Sequence, residues 1–74
     1  MRVHFLAGAA VGALARPLVL PVFVGLEAGK FAGVGPAATD DPPNLWDTVL
    51  SGFEYAIGYY IGNWAMTSVF GASQ

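Results

Sequence analysis

The chain predicts an all-α membrane protein, a two-helix transmembrane hairpin whose first helix is bent by proline. Three observations predict it. Hydrophobic residues fill 55% of the 74 positions and charged residues 11%, against about 25% charged in a typical globular domain. Two apolar blocks, 3–26 and 49–72, each reach the roughly 20 residues a helix needs to cross the hydrocarbon layer. A connection rich in Gly, Pro and Asp separates them, and that chemistry ends helices and turns chains.

The length allows a single domain, 1–74, whose core would be small for a water-filled environment. Its first element is a helix over about 3–34. Pro17 and Pro21 interrupt it, and because each removes a backbone donor and crowds the preceding turn, a bend is expected near residues 13–17. A straight helix of that length exceeds one perpendicular span at ~1.5 Å per residue, so it must tilt, kink or project. A rival reading breaks the chain at Arg16 into a short interfacial helix and a span over 17–35. It carries the penalty of placing Glu27 and Lys30 inside the apolar layer. The opening "MRVHFLAGAAVGALA" also has the outline of a signal peptide, but is read as retained structure.

The loop follows over about 35–44. Asp41-Pro42-Pro43 closes off helical continuation. Asn44 then supplies an N-cap for a second helix over about 45–72, with Asp47 at the positive end of its dipole and Trp46 as an interfacial anchor. Basic groups gather near the start of the chain and acidic ones in the loop. The positive-inside tendency therefore puts both termini on the cytoplasmic or interior side of a cell inner membrane or a viral internal membrane.

Helical spacing singles out two stripes. Gly8, Gly12 and Arg16 recur at steps of four, as do Glu54, Gly58 and Gly62, so each stripe lies on nearly one face and ends in a charge of opposite sign. In an antiparallel hairpin Arg16 would lie about 15 Å and Glu54 about 8 Å from the loop side. Because an unpaired arginine at mid-bilayer costs about 2.5–3.5 kcal/mol, the expected partner of Arg16 is Glu54, in the same chain or a neighbouring copy, with Asn63 sharing its donors. The helix-packing and partner residues are thus Gly8, Gly12, Arg16, Glu54, Gly58, Gly62 and Asn63.

Several function classes fall away. The net charge is −2 and the three basic residues are scattered, which excludes phosphate-backbone recognition and hence a nucleic-acid partner. There is no cysteine and one histidine, His4, so no metal site or cofactor is expected. His4 reads as an interfacial residue at a span end rather than a haem or pigment ligand. Ser51, Thr48, Thr67 and Ser68 have no histidine placed to activate them, so no catalytic residues and no enzyme are expected. The aromatic residues Phe53, Tyr55, Tyr59, Tyr60, Trp64 and Phe70 read as packing toward lipid or a partner. The partners expected are the lipid bilayer and other membrane subunits or copies of this chain.

The stretches "HFLAGAAVGALAR", "AGK" and "NLWDTVLSGFEYAIGYYIG" resemble small two-span membrane proteins of bacteriophages and prophages. His4, Phe5, Gly8, Gly12, Lys30, Trp46 and Asp47 carry the likeness, and Phe31-Ala32-Gly33 departs from the acidic-aromatic stretch usual after the lysine. The resemblance implies a structural or accessory integral membrane protein that packs through small-residue helix faces into a larger assembly, such as a virion membrane. The chain bears two further resemblances. A holin-like, membrane-permeabilising oligomer fits the size and the glycine stripes, but the closing "FGASQ" lacks the basic tail usual in holins. A proton-carrying hairpin similar to the rotor subunit of ATP synthases would use Glu54, but lacks the rotor's glycine run and basic loop.

Overall fold

The computed structural model describes residues 2–70. Its elements are α1 (Arg2–Ala13), a single 3-10 turn (Arg16–Leu18), α2 (Val19–Ala32), α3 (Pro36–Asp40) and α4 (Leu45–Phe70). The expectation of an all-helical chain meets a different architecture from the hairpin. Among the described residues no helix is long and apolar enough to cross a membrane, which overturns the transmembrane fold and the integral-membrane location together.

The physical reason lies at Arg16-Pro17. The chain does not bend there but reverses. Leu14 and Ala15 still donate back to Ala10 and Val11, at 2.8 and 3.1 Å; Ala15 then leaves helical geometry at φ −140°, ψ 53°, and Pro17 opens the 3-10 turn. Pro21 falls in the first turn of α2, where its missing N–H is one of the groups a helix leaves unpaired anyway. The long first helix therefore becomes two, of 12 and 14 residues, each too short to span.

α2 ends in a Schellman turn. Gly33 takes φ 79°, Val34 donates to the Gly29 carbonyl at 2.8 Å and Gly33 to Lys30 at 3.2 Å. Gly35, at φ 86°, then leads into α3. Asn44 caps α4, its Oδ1 accepting the Asp47 amide at 2.7 Å. The expected helix end at residue 72 lies outside the described residues.

The packing partners set the topology. Phe5 lies against Gly58 and Ala9 against Gly62, while Gly8 lies against Tyr55 and Gly12 against Tyr59. Partner numbers rise together along both helices, so α1 and α4 run parallel, where the hairpin had its two helices antiparallel. α2 runs the other way: Val19 meets Tyr55, Glu27 meets Thr48 and Lys30 meets Asp47. Arg2 and Phe70 consequently lie toward opposite ends of a molecule 40 Å long; the expectation that both termini share one side of a membrane rested on two spans and falls with them, and the terminal residues themselves lie outside the described residues.

The interior is polar and the exterior is not. Among the described residues Val11, Ala37 and Tyr55 are the buried hydrophobic ones, whereas His4, Glu27, Lys30, Asp41, Asp47 and Ser51 are buried polar ones. Large apolar side chains from Leu6 to Phe70 are exposed.

Candidate functional site: a buried charge cluster

Each helix contributes polar side chains to one point. α1 brings His4, one turn before the glycine seam. α2 brings Glu27 and Lys30, which at i,i+3 share a face. Asp41 follows α3 directly, and α4 brings Asp47, Thr48 and Ser51 from its first two turns. The seam allows this convergence. A methyl group at Gly8, Gly12, Gly58 or Gly62 would fall on a backbone carbonyl of the facing helix, so only glycine permits the close approach of α1 to α4.

His4 sits at the centre with no exposed surface. Its Nε2 lies 2.7 Å from Glu27 Oε2 and its Nδ1 3.0 Å from Asp41 Oδ2. Lys30 Nζ lies 2.8 Å from Glu27 Oε1 and 3.3 Å from Asp47 Oδ2. Thr48 Oγ1 donates to Glu27 Oε1 at 2.7 Å, and Ser51 Oγ donates to Asp41 Oδ2 at 3.0 Å. Nearby, Asp40 Oδ2 accepts the Val3 amide at 3.3 Å. Phe23 of α2 closes the apolar side, its ring edge-on to His4 at 5.7 Å and tilted against Tyr55 at 5.2 Å. The Tyr55 hydroxyl in turn donates to the Val19 carbonyl at 2.5 Å.

The electrostatics follow from these contacts. Burial pushes the Glu27 carboxyl up, but hydrogen bonds from Lys30, Thr48 and His4, with the Lys30 charge, outweigh it and hold Glu27 below the ordinary carboxylate range. Burial likewise pushes the Lys30 ammonium down, and Glu27 and Asp47 reverse this, holding it above its ordinary value. Glu54 shows the opposite balance: burial raises its carboxyl, and the charges of Asp41 and Asp40 add to the rise. Burial raises the Tyr55 phenol as well.

The residues singled out by spacing take other places. Gly8, Gly12, Gly58 and Gly62 form the α1–α4 seam, within the chain. Arg16 is exposed at the reversal, and no ion pair joins it to Glu54; the antiparallel register that would have brought them together is absent. Glu54 instead lines a groove with Arg2, Phe5 and Asp40. Asn63 has its Oδ1 shielded from solvent without a hydrogen-bond donor, so it takes no part in binding Arg16.

His4 is the residue that sequence reasoning misplaced most. It is the hub of the cluster rather than an interfacial residue, and it shares Asp41 Oδ2 with Ser51, a serine read as remote from histidine. A signal was present. The reading that breaks the chain at Arg16 carries the penalty of Glu27 and Lys30 inside a membrane's apolar layer; both are instead buried within the protein, and paired. No group of His, Asp and Glu among the described residues is arranged to hold a metal ion.

No family model matches the chain, and no curated protein or solved structure shows significant similarity to it. None of these comparisons bears on the phage resemblance, and the membrane hairpin it implied is not the fold found. The holin and rotor readings both require a span and lose that premise.

Proposed function

We propose that this chain is a non-catalytic structural subunit that assembles with a second copy of itself through the outer face of α4. One observation carries the reading: Trp46, Val49, Phe53, Ile57, Tyr60 and Trp64 are all exposed and fall within an arc of about 80° on the side of α4 away from α1 and α2. The face holds no charge, and its Trp46–Phe53–Tyr60 and Ile57–Trp64 steps of seven are the period by which one helix keeps contact with another along a seam.

The area is sufficient. Trp46, Phe53, Tyr60 and Trp64 are 69, 65, 71 and 62% exposed; with aromatic side chains offering about 150–250 Å² each, the six residues present about 600–800 Å². That exceeds the ordinary apolar patch of a monomer and approaches the ~800 Å² per partner of a standard interface. A non-catalytic role is supported by the sealed position of His4 and by the hydroxyls of Ser51 and Thr48, which donate to carboxylates instead of to a base.

Light scattering on the purified chain tests this. The expected mass is twice the 7.7 kDa of one chain or a higher multiple, falling to one copy in Phe53→Glu/Tyr60→Glu with helicity retained. A wild-type chain present as single copies, whether free or floating with lipid vesicles, would overturn the reading.

A further inference from the structure

The six exposed residues of the outer α4 face pair off about one point. Trp46 and Trp64 stand nine residues either side of Tyr55, Phe53 and Ile57 stand two either side, and Val49 and Tyr60 stand six and five. At ~100° per residue, the two members of each pair lie within about 40° of a common line along the helix, and the tryptophans share one line because their separation completes whole turns. A face built this way matches itself when turned end for end. We propose that, in the self-associated form on which this inference rests, two copies meet antiparallel: α4 lies against the partner's α4 with the two-fold axis level with Tyr55, and each Trp46 meets the partner's Trp64.

A two-fold contact uses the same patch on both copies. In the antiparallel arrangement, positions at equal heights on either side of the axis and on one line come together. Val49 then meets the partner's Tyr60 and Phe53 meets the partner's Ile57, a smaller side chain against a larger one each time, while an indole lies on an indole at both ends. A parallel arrangement sets each residue level with its own copy and loses this matching of sizes.

Charge separates the two arrangements further. Glu27, Lys30, Asp41 and Asp47 gather around the start of α4, and Arg2, Asp40 and Glu54 share the adjoining groove. These side chains are five carboxylates and two cations, a formal −3. Arg16 follows α1 beyond the level at which Gly12 meets Tyr59, so the other end carries a formal +1. Parallel pairing places two acidic ends side by side, whereas antiparallel pairing places each beside the partner's Arg16 end, and such complementarity selects orientation more than it adds affinity. The helix dipoles favour the same choice. α1 and α4 run together and α2 against them, so each copy has an uncancelled dipole that a reversed partner opposes.

The chain has no cysteine, so one introduced outside the six residues carries a single label. Leu45, 77% exposed at the start of α4, lies about 15 Å along the helix from the two-fold axis. With a nitroxide on Leu45→Cys, pulsed dipolar EPR of the assembled protein should give a separation of at least about 30 Å, whereas parallel copies hold the labels at one level within about 25 Å. Trp46→Cys and Trp64→Cys supply a second readout. Oxidised separately, neither should form a disulfide between copies; mixed, the two should form a linked pair. A short EPR distance, or disulfides in either variant alone, would overturn the antiparallel arrangement while leaving self-association in place. A mixture that stays associated without linking would overturn the register at Tyr55. Wild-type chain present as single copies in light scattering would overturn self-association and this arrangement with it.

Discussion

Lys30 shows why a side chain expected at a headgroup surface ends at the centre of the molecule. Its ammonium is buried, which costs several kcal/mol, and is tolerable because Glu27, Asp47 and Thr48 lie within 2.8–3.4 Å of it. Removing it strands two buried carboxylates, so Lys30→Met should lower stability by about 3–5 kcal/mol in a denaturant titration. The pH dependence has a definite sign. Glu27 titrates below its unfolded value, so its contribution is complete above about pH 4.5 and is lost as pH falls through the lowered value; Lys30 titrates above its own, so its contribution is lost only as pH rises beyond about 10.5. Stability followed by circular dichroism should therefore decline at both extremes from these two groups. Glu54 has the reverse sign, because its charged form is disfavoured in the fold. Glu54→Gln should raise stability at neutral pH by about 0.5–1 kcal/mol, and a loss would show that Glu54 has a stabilising partner. At this scale the sequence was only partly legible. It placed Glu27 beside Lys30 and identified Asn44 as a cap, since both rest on local spacing. It did not show His4 between Glu27 and Asp41, which are 23 and 37 residues away along the chain.

At the scale of elements, the α1–α4 seam is the most constrained feature. Gly58 faces the Phe5 carbonyl and Gly12 the Tyr59 carbonyl. A methyl there must push two backbones apart. Gly58→Ala should cost at least about 2 kcal/mol despite alanine's better helix propensity, whereas Gly25→Ala, with open space around it, should be neutral or stabilising by up to about 1 kcal/mol. Thermal melts of the two variants compare them directly. Asn44→Ala should cost about 1 kcal/mol through loss of the α4 cap. The glycine spacing was legible because steps of four mark one face whatever that face meets. Helix direction was not, because a proline pair in an apolar run is written the same way whether the chain bends or reverses, and the contacts of Glu27 and Lys30 with α4 that accompany the reversal are distant in sequence.

For the whole molecule, composition points to a bilayer because apolar residues outnumber charged ones so heavily. The structure arranges the same residues as three principal helices around a polar centre, with aromatic and aliphatic side chains outward. A hydropathy pattern identifies which residues avoid water; it does not say what covers them, and a second copy is the proposed cover. The polar centre depends on the charge cluster being closed inside the chain. Lys30 is the chain's one lysine, so the most direct measurement is its rate of modification by a small amine-specific reagent, compared between native and denatured protein. The arrangement predicts protection of at least about a hundredfold in the native state, collapsing in Glu27→Gln/Asp47→Asn. A native lysine that reacts as fast as in the unfolded chain would contradict it.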